Sequence, residues 1–171
     1  MSPATPNRRQ LLRIGAIAVA GLAGCSEGGS DESTTDGGGS ESTDTTTEGL
    51  DLREANVTDV AFDGSSGSVT FDVTLYHDDD GEDGYADRWQ IERLDGTELG
   101  RRELAHAHGT RQFTRSATID VPEDVSCVVV RGHDQTHGCG GQAMLVSLDE
   151  QAQSAVQQGL EPQSFTTADC P

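Results

Sequence analysis

The chain has 171 residues and carries 30 acidic residues against 11 basic ones, a formal net charge of −19 at pH 7. Every basic residue is Arg; Lys does not occur. A surface of this sign repels nucleic acid and anionic lipid headgroups, which sets aside polyanion binding and reads the acidity as adaptation to solvent, not as a cation site. In chain order, the first element is an apolar run, Leu11 to Gly24, preceded by Arg8 and Arg9 and followed by Cys25. A helix needs about 20 apolar residues to cross a bilayer, and this run instead has the length of a signal peptide's apolar segment.

The stretch Asn7-Arg8-Arg9-Gln10-Leu11-Leu12-Arg13 resembles a twin-arginine export signal, and Leu22-Ala23-Gly24-Cys25 resembles a lipobox. The resemblance implies a signal over residues 1–24 that is cleaved and a Cys25 that is lipidated. An uncleaved signal anchor is the alternative, and both leave the remainder outside the cell. A lipid on Cys25 holds a protein to the outer face of the membrane, since each buried methylene contributes about 0.8 kcal/mol. Cleavage also removes Arg8, Arg9 and Arg13, leaving 30 acids against 8 Arg, a formal charge of −22. At molar salt the Debye length falls to about 3 Å, which screens the self-repulsion of so acidic a domain. Together with the signal, this composition resembles that of exported proteins from halophilic archaea.

Residues 26–49 contain only Ser, Thr, Gly, Asp and Glu. With nothing to bury, residues 25–49 are expected to be a disordered spacer, and about 24 such residues span roughly 27 Å on average. Thr45-Thr46-Thr47 suits O-glycosylation of a stalk, and Asn56-Val57-Thr58 fits the N-glycosylation acceptor pattern, with Asn56 as the acceptor.

Residues 50–149 read as one β-domain. Alternation with β-branched enrichment predicts seven strands, at 57–62, 68–76, 88–94, 98–104, 112–121, 126–131 and 142–148. Val69, Phe71, Val73 and Leu75 alternate with Thr70, Asp72, Thr74 and Tyr76, the period-two signature of a half-buried strand. Asp95-Gly96 marks a two-residue hairpin, and Trp89, the single tryptophan, falls on the third strand. Seven short strands with a core Trp on the third predict an all-β, immunoglobulin-like sandwich. Over 150–171 a short surface helix and a tail are expected: Ser147 and Glu150 have capping-box spacing, and Ala152, Ala155 and Val156 recur at helical intervals before Gly159 and Pro162.

If Cys25 is lipidated, Cys127, Cys139 and Cys170 remain, and an oxidising exterior favours one disulfide. Of the three pairings, Cys139 with Cys170 is expected because it staples the tail to the domain, and Cys127 with Cys139 ranks second. No CxxC spacing occurs, which speaks against a zinc ribbon or a thioredoxin-like site.

All five histidines lie near connections: His77 after the second strand, His106 and His108 after the fourth, His133 and His137 after the sixth. Alternate connections emerge at one pole, so the five imidazoles form a candidate zinc or copper site, joined by oxygens from Asp78, Asp79, Asp80, Glu82 and Asp83. The competing reading is that they hydrogen-bond neighbouring carbonyls and acids and merely order the pole. The acidic loop itself misses the EF-hand pattern. No GxSxG elbow occurs, and Gly138-Cys139-Gly140-Gly141 reads as hairpin chemistry. Arg115, on the inward face of the fifth strand, is expected to pair with Asp134 or Glu103.

The segments Tyr85-Ala86-Asp87-Arg88-Trp89, His106-Ala107-His108, Phe113-Thr114-Arg115-Ser116, Arg131-Gly132-His133-Asp134 and His137-Gly138 resemble an uncharacterised group of exported prokaryotic β-domains, and the chain as a whole resembles haloarchaeal twin-arginine-exported lipoproteins that carry such a domain. The resemblance covers the middle of the exported part and implies no activity. The expectation is a non-enzymatic surface lipoprotein: a membrane lipid on Cys25, a flexible stalk and a domain that binds a protein or small molecule, with no nucleic-acid partner. A metal-binding domain built on the histidine pole is the alternative.

Overall fold

A computed structural model describes residues 47–79 and 81–171. The export signal with Arg8 and Arg9, the lipidation residue Cys25 and the spacer to residue 46 lie outside the described residues, as does Asp80. The described part is all β: β1 Asn56–Asp63, β2 Gly67–Tyr76, β3 Ala86–Glu92, β4 Glu98–Glu103, β5 Phe113–Val121, β6 Cys127–Asp134, β7 Gln142–Ser147 and β8 Ala152–Gln157. One sheet has the order β1-β2-β5 and the other β4-β3-β6-β7-β8, with every pairing antiparallel.

The alternation read from β2 is what places it. Val69, Phe71, Val73 and Leu75 turn inward and are fully buried, and β5 presents Phe113, Ile119 and Val121 to the same core. The facing sheet contributes Trp89, Ile91, Val128, Val130, Met144 and Val146. At about 25 cal/mol per Å² of apolar surface, this shared layer is the main stabilising term. Gly100 lets β4 approach β5, since a Cβ there would sit 2.8 Å from Ile119 Cδ1. On the other side Gln153 of β8 accepts a hydrogen bond from Val60 N (3.2 Å) and donates one to Asp59 (3.3 Å), joining β8 to β1.

The strands β6 and β7 are apolar on both faces because both faces are covered. Val128 and Val130 enter the central core, whereas Val129, Ala143 and Leu145 form a second cluster with Leu94, Val156 and Phe165 on the outer face. The C-terminal tail supplies that cover. Phe165 N donates to Leu94 O (3.1 Å), and Arg131, 1% exposed, donates to the Gln163 carbonyl (2.5 Å) and stacks its guanidinium 5.5 Å from the Phe165 ring centre. The charge of Arg131 is met by Glu92 at 2.8 Å, itself buried, and Gln90 donates to Glu92 from alongside. An unmatched guanidinium at this depth would be strongly destabilising.

Three expectations are corrected here. The residues expected to form a helix after Ser147 form β8 instead. Glu150 N does donate to Ser147 Oγ (3.3 Å), as capping-box spacing requires, but Gln151 then takes φ = 53° and turns the chain back along β7. An unpaired edge on apolar β7 would leave its backbone groups without partners, and this outweighs the weak helical periodicity. Next, the disulfide joins Cys127 to Cys170, with Cys139 free, in place of Cys139 to Cys170. The tail lies across the outer face where β6 begins, so the staple falls on Cys127. Last, Arg115 makes no ion pair with Asp134 or Glu103 among the described residues. It lies half-exposed over Phe113, 5.6 Å from the ring centre, and donates to Thr114 O (2.7 Å).

Candidate functional site

The connections after β2, β4 and β6, with the segment before β1, meet at one end of the sandwich. Asp78 N donates to Leu52 O (2.8 Å), Gln135 N to Tyr85 O (3.3 Å) and Gly84 N to Gln135 Oε1 (3.4 Å). The five imidazoles found at this end stand in three groups, each organised by its own carboxylate.

Asp79 organises the first. It is 3% exposed; one oxygen is hydrogen-bonded to His77 Nδ1 (2.5 Å) and accepts the Ala86 N–H (2.8 Å), and the other accepts the His108 N–H (2.9 Å). Three segments are thereby tied to one buried carboxylate, which engages Asp79 with the fold itself. His77 has its second nitrogen against Arg53 O (3.1 Å), so both ring positions are occupied. His108 stacks on Phe113 with centroids 3.7 Å apart, and burial pushes its imidazole below the ordinary histidine range. His106 is exposed and lies beside His108, centroids 4.7 Å apart. Around them Asp78, Glu82 and Asp83 are exposed. The second group lies on the outer face of β3 and β6, where His133 Nδ1 donates to Asp87 (2.6 Å) beside the Arg88 guanidinium.

The third group is the candidate site. One carboxylate oxygen each of Glu54 and Asp134 and one ring nitrogen of His137 lie within 4.8 Å of one another. Asp134 ends β6. Its Oδ1 accepts the backbone N–H groups of Thr136 (2.8 Å) and His137 (2.6 Å), and the Asp134 and Gly138 backbones bond reciprocally, closing a tight loop. That arrangement fixes the carboxylate and leaves Oδ2 over. Glu54 comes from the segment before β1 and is 2% exposed. Glu54 Oε2 and Asp134 Oδ2 are both buried, and neither has a hydrogen-bond partner among the described residues. Burial raises the Glu54 carboxyl above the usual range, with Asp134 adding to the shift and His137 opposing it.

The glycines after the loop make room for this carboxylate. A Cβ on Gly141 would stand 2.7 Å from Glu54 Cβ, and one on Gly140 would overlap Glu54 Oε2. Of the sequence-predicted histidines this group includes only His137, which lies 3.2 Å from Asp134 Oδ1 with its side chain 37% exposed. Glu54 and Asp134 were not legible as a pair: they are 80 positions apart in an acid-rich chain. The glycine pair in the β6–β7 connection was the one available signal of a close approach.

The glycosylation candidate Asn56 is corrected by the same neighbourhood. It is fully buried, its amide donates to Asp51 O (2.8 Å) and Glu54 O (2.7 Å), and its Oδ1 accepts from Gln142 N (2.9 Å). With donor and acceptor both engaged inside the domain, no space remains for a glycan.

Among the described residues no helix is long and apolar enough to cross a membrane. No family model matches the chain, and no solved structure matches it. A curated protein of Halomicrobium mukohataei, described as "Putative lipoprotein", is 51% identical over 198 aligned positions that cover 97% of this chain and 98% of the relative. Likeness of that extent covers nearly the whole of both chains, and the chain belongs to the same haloarchaeal lipoprotein family.

Proposed function

We infer that the protein is a lipid-anchored, non-enzymatic domain held at the outer face of the membrane by Cys25 and raised on the acidic stalk to bind or scaffold a protein or small molecule. The observation that carries this reading is the pairing of a lipobox at Leu22-Ala23-Gly24-Cys25 with a near full-length lipoprotein relative. The stalk supports it, since a spacer without apolar residues keeps a folded domain clear of the surface in brine. The immunoglobulin-like reading is supported by the strand order, with β2 between β1 and β5 in one sheet, β4, β3, β6 and β7 in succession in the other, and Trp89 of β3 fully buried between the sheets. The alternative of a zinc or copper centre made by the whole histidine pole gains no support from rings divided among three carboxylates.

The test is expression of the full chain in a halophilic host. Wild type is expected in the membrane fraction and open to protease added to intact cells, and Cys25→Ser is expected in the medium. Arg8→Lys with Arg9→Lys should leave unprocessed protein inside. Retention of Cys25→Ser in the membrane would mean an uncleaved anchor, and protection from external protease would refute the outer-face placement.

A further inference from the structure

We propose that Glu54, Asp134 and His137 bind one borderline divalent cation, with zinc the ion whose preferences they match best. The proposal is independent of how the protein is anchored, and of the five histidines it uses only His137.

Two observations carry it. Glu54 and Asp134 each bury an oxygen without a hydrogen-bond partner among the described residues, and one carboxylate oxygen of each lies within 4.8 Å of the other and of a His137 ring nitrogen. Buried carboxylates are ordinarily met by an Arg or by hydrogen-bond donors, and a buried acceptor left unmet costs roughly 1–3 kcal/mol, more when charged. The nearby Arg53 is exposed and engaged with Asp51 at 2.5 Å. A cation between the two carboxylates would satisfy both at once. The second observation is preorganisation. The Asp134 loop is locked by its own backbone bonds, and Gly140 and Gly141 leave open the volume through which Glu54 reaches it.

The donor set selects the ion. Two carboxylate oxygens and one imidazole nitrogen suit zinc, whose sites with three protein ligands keep a fourth position for water or an incoming group. Calcium and magnesium favour shells of oxygen alone, and copper(I) favours sulfur. His137 is the exposed member, so its ring can swing the short distance needed to close the set and offers the path of entry. Brine favours this place over the surface acids. Exposed charges are screened within about 3 Å at molar salt, whereas buried ones are screened far less.

The full-length chain, stripped with chelator and kept in molar KCl, is titrated with zinc by calorimetry and with cobalt(II), whose visible spectrum reports the coordination geometry. One ion per chain is expected, with affinity falling in Glu54→Gln, Asp134→Asn and His137→Ala by more than the roughly 10–100-fold that loss of a supporting group costs. The variants His106→Ala and His133→Ala should bind as wild type does. Should Asp134→Asn fail to fold through loss of its turn, Glu54→Gln and His137→Ala decide, with thermal unfolding followed beside each titration. Failure of wild type to bind one zinc overturns the proposal, as does binding that survives in both of those variants or that disappears in His106→Ala.

Discussion

Glu54 is a buried acid whose Oε2 has no hydrogen-bond partner among the described residues and whose near neighbour is another carboxylate. Its folded carboxyl titrates above its ordinary 4.5, so the protonated form is the one the metal-free fold prefers. A raised folded pKa contributes stability that is complete below the unfolded value and is lost as pH rises through the folded value. In chelator, wild type should therefore lose stability relative to Glu54→Gln as pH rises from about 4.5, by about 1.4 kcal/mol for each pH unit by which burial has raised the carboxyl. Denaturant titrations of both proteins across that range check it, and parallel curves would mean that Glu54 is solvated. This acid looks in the sequence like the other 29, because burial depends on what packs over it. Asn56 teaches the same lesson: its sequon is complete, yet the fold spends the amide on holding β1 against β7.

At the scale of elements, β8 and the β6–β7 connection were decided by neighbours. The turn after Ser147 keeps the hydrogen bond that its spacing promised, while the six residues that follow answer to the open edge of β7. Strands β1 to β3 and β5 to β7 were legible because each has a buried face written in period two or a continuous apolar run, whereas β4, with no buried residue, was marked by the Asp95-Gly96 turn before it. Glycine placement offers a test of the close contacts. Gly132, opposite Trp89 in the β3–β6 ladder, lies under the Ala55 carbonyl, and Gly140 lies against the end of the Glu54 side chain. Backbone cannot retreat as a carboxylate can. Gly132→Ala should therefore cost at least about 3 kcal/mol, the upper end for overpacking, and Gly140→Ala distinctly less. Thermal or denaturant unfolding of the two variants measures the difference. Equal costs would show that Glu54 is as rigidly held as the backbone, and loss of zinc binding in Gly140→Ala would accompany a displaced Glu54.

For the whole molecule, the tail acts as a strap. It covers the second apolar cluster with Phe165, caps Arg131 and is fastened by Cys127–Cys170 across a sequence separation of 43 residues. Closing a loop of that length stabilises by about 4 kcal/mol on chain-entropy grounds. A reductant should lower the unfolding free energy by about that amount, read from Trp89 fluorescence. Cys139→Ser should respond identically, because burial holds the Cys139 thiol neutral and outside the bridge. A variant insensitive to reductant would place Cys139 in the disulfide.

What the sequence determined by itself was whatever is encoded locally or summed over the chain. That comprises the excess of acidic over basic residues and the strands whose period-two pattern follows from backbone geometry. Only the tertiary structure decided which cysteine receives the tail, that residues 152–157 extend a sheet, and that Asp79, Asp87 and Asp134 divide the histidines among them. These outcomes depend on which distant segments compete for the same buried space and the same unpaired backbone edge. Glu54 and Asp134 meet because β1 is led in beneath the β6–β7 loop, a juxtaposition that no local pattern encodes.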